Sequence, residues 1–390
     1  MENVQRLWLQ RVLILAAVGL LVAIYYSPIW WVSLTAPNYP KESFPDGVRI
    51  HFHMNGVFNG CKPVKKSEIA EEEPLDCVHE MDTINHYVGM YPIAAGGVVE
   101  KAYSQFLMTL LGIMLLGFMC TRPRIRVGLM GAGFAALAVW MALAWYGNNG
   151  IRYENKGYIE ALVHALSLDL EKEEQTAVPE AGSAIIERLK QSLEESGVAV
   201  EETKSPGEIK TKEDMIEFLR ASFEADQARK PPAERQTWNG SVRQVMSWHY
   251  EKTLGRYFNE PERIRPMVHT MTRVGDLVFW GVLVAMLILL WGARRNRGPL
   301  YWLLVVVPMA LPVFFVIEYA GWLWWYGHNL NAMGAFTVKP FMPTVFGDGK
   351  VAQFTTHSYP HYGFGLMLLF SALLIVAAVL RRRDADHATR

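Results

Sequence analysis

Thr121-Arg122-Pro123-Arg124-Ile125-Arg126 lies between two uninterrupted apolar runs, about Ala102 to Cys120 and about Val127 to Tyr146. Each run is close to the roughly 20 residues with which an α-helix crosses about 30 Å of hydrocarbon, so the three segments read as a membrane hairpin. Three arginines in so short a turn place it inside, because short Arg-rich loops resist translocation. The pattern then repeats. A run from about Val274 to Trp291 ends in Arg294-Arg295-Asn296-Arg297, and another from about Leu300 to Trp325 leads back outward. A last run, about Tyr362 to Leu380, ends in Arg381-Arg382-Arg383. The first apolar stretch, about Leu7 to Val32, follows Arg6 and Arg11 and is too long and aromatic for a signal-peptide core, so it reads as a retained anchor. The expected fold is mainly α: a six-helix transmembrane bundle with both termini inside. Pro308 and Pro312 are expected to bend the fifth span, which neighbouring helices can tolerate.

Composition agrees. Of 390 residues, 51% are hydrophobic and 13 are Trp, which sets the chain among multi-pass membrane proteins. A formal net charge of zero hides arginine-rich turns and separate acidic runs, and nothing in it points to nucleic acid. Residues 1–35 form the first anchor, 36–101 an extracytoplasmic segment, 102–146 the hairpin of spans two and three, and 268–325 that of spans four and five. Residues 326–361 form a further outer loop, and 362–390 the sixth span and a tail. Between the hairpins, residues 147–267 turn charged and amphipathic. Tyr158, Leu162, Val163 and Leu166 recur at helical spacing, Ile185, Ile186, Leu189 and Leu193 do so again, and Thr211 with Asp214 forms a capping pair ahead of Met215. An extracytoplasmic helical domain is expected there. Short strands are expected in the outer segments, above all Val48-Arg49-Ile50-His51-Phe52-His53.

This topology sends ten of the eleven histidines to one side. Several come with methionine at short spacing: His51 and His53 on one strand face; His86 and Met90, one helical turn apart if helical; Met267, His269 and Met271; then His328, and His357 with His361. Imidazole and thioether are the donor set for copper, above all cuprous ion. Cys61 and Cys77 fit a disulfide in an oxidising compartment or a thiolate metal site. Within the spans, Glu318 is a candidate proton relay, ion site or buried hydrogen-bond partner, and Asp276, near a span's start, reads as a possible cap. There is no Cys-x-x-Cys-His run and no phosphate-cradling Gly-Lys-Ser/Thr loop; b-type haem, which needs only paired His or His/Met ligands, stays open.

Pro28-Ile29-Trp30-Trp31-Val32-Ser33-Leu34-Thr35-Ala36-Pro37-Asn38-Tyr39-Pro40, Asn85-His86-Tyr87-Val88-Gly89-Met90, Tyr326-Gly327-His328-Asn329-Leu330 and Lys339-Pro340-Phe341-Met342-Pro343 resemble landmarks of a family of multi-pass bacterial membrane proteins encoded beside Sec-exported nitrous oxide reductases. The resemblance covers the spans and the first and third outer segments, not residues 147–267. It implies an inner-membrane accessory protein that matures or supplies an extracytoplasmic copper enzyme, without turnover of its own, His86 to Met90 and His328 being the candidates it transfers. Two other readings stand beside it: a b-haem or quinol-linked electron-transfer subunit, and a structural subunit of a larger membrane complex.

Overall fold

The computed structural model describes residues 2–37, 39–41, 44–62, 75–177, 211–351 and 353–387. In chain order the described elements are α1 (Glu2–Tyr25), β1 (Trp30–Thr35), β2 (Val48–His53), β3 (Gly56–Asn59), α2 (Cys77–Tyr87), α3 (Val98–Met119), α4 (Pro123–Trp145), α5 (Lys156–Ala177), α6 (Lys212–Arg229) and α7 (Val242–Gly255). There follow α8 (Pro261–Gly292), α9 (Pro299–Met309), α10 (Leu311–His328), β4 (Gly347–Val351), β5 (Phe354–Pro360) and α11 (Tyr362–His387). The helix expected around Ile185 to Leu193 lies outside the described residues.

Five of the described helices, α1, α3, α4, α8 and α11, are long and apolar enough to cross a membrane, and α9 with α10 supplies a sixth crossing when taken together. Their buried seams have a period near 3.5: Ile14, Ala17, Leu21 and Ile24 on α1, Met367, Phe370, Leu374 and Ala377 on α11. The opposite faces, such as Leu277, Trp280, Val284 and Leu287 on α8, stay exposed and apolar, as lipid contact requires. The α9–α10 pair is bent by 62°. Pro308 and Pro312 flank the bend, where the Pro312 nitrogen cannot continue the helical ladder. The Met309 carbonyl receives a hydrogen bond from Ser371 Oγ of α11 at 2.8 Å, so the break does not leave it bare.

The first apolar stretch is shorter as a helix than its sequence length suggests. It ends at Tyr25; Ser27 Oγ caps back to the Ala23 carbonyl, Pro28 stops the turn, and Trp30 and Trp31 enter β1 instead of completing the span. β1 then pairs with β2 and with β5 in an antiparallel sheet of order β3-β2-β1-β5-β4. Trp30 faces Pro360 across the β1–β5 pair, so the sheet clips the end of α1 to the start of α11. Its buried face lies on the helix ends, with Trp30 against Phe315, Tyr319 and Phe364, and Phe52 against Tyr319. Cys61 and Cys77 are joined as a disulfide, fastening the chain after β3 to the start of α2.

On the same side α5, α6 and α7 pack around Phe223, Trp238 and Trp248, and Thr211 and Asp214 form the expected capping box at the start of α6. α8 has 32 residues, about 48 Å at 1.5 Å per residue. A boundary at residue 267 therefore falls within one continuous helix that protrudes beyond a bilayer.

At the far end Arg126 holds the two hairpin turns together. Its guanidinium donates to the carbonyls of Gly117, Cys120, Ala293 and Arg295 and to Asn296 Oδ1, and lies 4.5 Å from the Tyr301 ring centroid. The planar fork answers carbonyls at the ends of α3 and α8, where helical partners run out. Arg126→Met strands those acceptors. We expect a loss of about 3 kcal/mol, read as a lower unfolding temperature in detergent, whereas Arg124→Met, at the neighbouring turn, changes it little.

Candidate functional site

The ten His and Met candidates do not converge on one centre. α2 ends at Tyr87, and Gly89, at φ 80°, turns the chain so that Met90 N–H bonds back to the Asn85 carbonyl. His86 and Met90 therefore do not share a helical face. The His86 ring packs between Tyr257 and Phe258, at 5.4 and 4.8 Å between centroids, and Met90 is buried in the core. A Cβ on Gly89 would collide with the Asn331 carbonyl; Asn331 N–H bonds to Gly89 O and Phe336 N–H to Tyr87 O. The motif acts as a latch for the segment after α10. His328 donates to the Trp324 carbonyl and stacks on that indole, His357 pairs with Asp348 at 2.7 Å, and His269 is exposed on α8 between half-buried Met267 and Met271.

One pair does meet. His51 on β2 and His361 after β5 lie 5.1 Å apart between centroids, and His53 continues the same strand face beside Phe58. His361 Nδ1 accepts the Tyr362 N–H, which leaves Nε2 as its outward donor atom. Among the described residues no group of three or more His, Cys, Asp or Glu is close enough to hold a metal ion. Burial, with His361 and Arg49 nearby, pulls the His51 pKa down to about 4, and burial with His51 and His361 does the same to His53. Asp276 is no cap. It sits within α8 and takes Arg243 in a two-pronged ion pair, with the Trp145 indole and the Tyr146 hydroxyl also donating to it at 3.0 Å, which ties α4 and α7 to α8.

Glu318 faces a cavity of about 430 Å³. Its walls are α3 (Ser104, Leu107, Met108, Leu111) and both arms of the bent pair (Val307, Leu311, Phe314, Phe315); the β2–β3 hairpin roofs it with Phe52, His53 and Met54. α9 packs along α3, and past the bend at Ala310 α10 parts from it, which opens the room. The lining is almost wholly apolar except at the roof, where Glu318, Glu100, Lys101 and His53 gather. Glu100 accepts the Trp322 indole N–H at 3.4 Å through Oε1, while its buried Oε2 has no partner among the described residues. Lys101 Nζ is engaged with the Ala94 carbonyl at 2.7 Å. Gly97, at φ 61°, starts α3 and leaves both carboxylates room: a Cβ there would lie 3.9 Å from Glu318 Oε1 and 4.0 Å from Glu100 Oε2. The chamber therefore presents hydrogen-bond acceptors above an apolar body.

Glu318 was legible as an intramembrane acid; Glu100 and Lys101 were not, since they sit where the first outer segment was taken to end. The helix begins four residues earlier than expected, at Val98, and that puts the pair in its first turn.

The imidazoles set a pH signature. Between pH 6.5 and about 4 the unfolded chain protonates His51 and His53 while the folded chain does not, so the unfolded state binds more protons and stability falls as pH falls through this window. The buried carboxyls Asp82 and Glu154, raised by desolvation, act in the opposite sense, so the test is a difference. A His51→Gln, His53→Gln variant should lose less unfolding temperature on acidification across that window than the parent; equal losses would contradict the assignment. Comparison with protein-family models, curated proteins and solved structures finds no match to this chain.

Proposed function

We propose that this is an integral membrane protein that draws an amphiphile with a hydroxyl or hydroquinone head group from the bilayer into the chamber between α3 and α9–α10. The observation that carries this reading is the coincidence of an apolar cavity of about 430 Å³ with Glu318 and the unpartnered Glu100 Oε2 at one end of it. The volume falls within the roughly 300–1,000 Å³ typical of ligand sites. Glu318 and Glu100 offer acceptors, and the nearby cation, Lys101, is already engaged, so a head group that donates hydrogen bonds complements the site better than one that accepts them. Val307 and Phe314 line the chamber and are also 45% and 60% exposed, which gives a lipophilic tail a way out to the surrounding lipid. With the arginine-rich turns inward, the chamber opens in the outer leaflet of a bacterial inner membrane, and the sheet with α5 to α7 stands on the periplasmic side. This is close to the quinol-linked reading. The b-haem form of it finds, among the described residues, a single imidazole, His53, at the chamber.

The test is equilibrium binding of a decyl-substituted benzohydroquinone to the protein in nanodiscs, beside its dimethyl ether. We expect the hydroquinone to bind, the ether to bind weakly, Glu318→Gln to weaken binding by about tenfold, and Leu111→Trp, which fills the chamber, to abolish it. Equal binding of both compounds by parent and Leu111→Trp would contradict the reading.

A second reading, copper handling at the periplasmic face for an extracytoplasmic copper enzyme, is favoured by one observation, the approach of His51 to His361. Two neighbouring neutral imidazoles suit a cuprous ion. It predicts that the purified protein binds one cuprous ion and that His51→Ala with His361→Ala removes it; unchanged binding in that variant would dismiss it.

A further inference from the structure

The chamber is not isolated at its polar end. Lys101 lines it and also lines a second cavity of about 40 Å³. At roughly 10–15 Å³ for each water, that cavity holds on the order of three or four. It lies between α2, the start of α3, α5 and α7, and its walls carry Asp82, His79, His164, His249 and Arg256. Lys101 and Asp82 meet on one short turn: Lys101 Nζ donates to the Ala94 carbonyl, and Asp82 Oδ1 accepts the Ile93 N–H at 2.6 Å. Asp82 is 6% exposed, and desolvation raises its pKa to about 7 against the pull of the Ile93 and Ala94 amides and Arg256. Beyond it the Tyr257 hydroxyl and His79 Nδ1 share a hydrogen bond at 3.2 Å. His164 Nε2 and Asp76 Oδ2, themselves buried, pair at 3.3 Å, and the His164 side chain is 42% exposed through its other atoms, so the series of polar groups ends at the surface.

We propose that Lys101 and Asp82 relay protons between the carboxylates of the membrane chamber and the aqueous surface at His164 and Asp76. The inference deepens the chamber reading, from which it takes Glu318 as the acid that faces the bound head group. The Lys101 ammonium passes a proton to the Asp82 carboxylate as it takes one from the Glu318 carboxylic acid, and Asp82 then gives its proton to water in the small cavity. The net change is one proton moved from Glu318 to bulk water; the Glu318 carboxylate is left facing the re-formed ammonium, and no electron moves. Glu100, Lys101 and His53 stand around Glu318, Glu100 and His249 around Lys101, and Arg256 and Asp76 around Asp82.

Infrared difference spectroscopy after a pH jump, on the protein in nanodiscs, reads this directly. The carboxylic acid band missing from Glu318→Gln assigns the signal. Lys101→Met and Asp82→Asn should slow its response by about tenfold or more. So should Lys101→Arg, which keeps the charge but cannot exchange its proton. A parental rate in Lys101→Arg and Asp82→Asn overturns the relay even if Lys101→Met fails to fold, and so does the absence of any Glu318 band. Hydroquinone binding separates the two claims: Asp82→Asn, which lies outside the chamber, loses the relay and keeps binding, and failure of the chamber reading shows as no binding in the parent.

Discussion

Hydrocarbon offers neither a backbone carbonyl nor a carboxylate any water, so each must find a partner or a cavity. The α9–α10 bend meets the first demand through Ser371, whose hydroxyl answers the Met309 carbonyl. It meets the second by the space it opens. Up to the bend the pair packs along α3 through α9, and beyond it α10 parts from α3. Bent by 62° at Ala310, the pair leaves a chamber with Glu318 and Glu100 at its roof. The same pair of prolines thus accounts for the broken span, the cavity and the survival of two acids beside it.

The sheet belongs to the same argument. Because β1 continues α1 and β5 leads into α11, pairing of the first and last spans is fixed by strand hydrogen bonds as well as by their interdigitated seam. That places the β2–β3 hairpin over the chamber, with Phe52 packed on Tyr319 and His53 among the lining groups. At the opposite end Arg126 holds the turns after α3 and α8 through backbone carbonyls, Asn296 Oδ1 and the Tyr301 ring. The bundle is pinned at both ends, and the bend lies between.

Apolar length and arginine placement made the membrane helices readable, because both reflect the cost of burying charge in lipid and need no tertiary information. Strand β2 and the Thr211 capping box were readable for the same local reason. β1 was not: Trp30-Trp31-Val32 is as apolar as the helix before it, and the Pro28 break tells only once its partner strand, some 320 residues away, is known. The histidines misled because a linear sequence gives which side a donor is on but not which wall. His86, beside aromatic rings, and His357, beside Asp348, are engaged by neighbours remote in sequence or across a strand pair. Glu318 was visible as an acid in a span, whereas its companions Glu100 and Lys101 required the true start of α3.

The most direct measurement is an electron cryomicroscopy map of the protein in lipid nanodiscs prepared with the decyl hydroquinone. The account predicts an open angle between α9 and α10 and elongated density along α3, its head within hydrogen-bonding distance of Glu318. A straight, closed fifth span packed against α3, with no space beneath the β2–β3 hairpin, would contradict it.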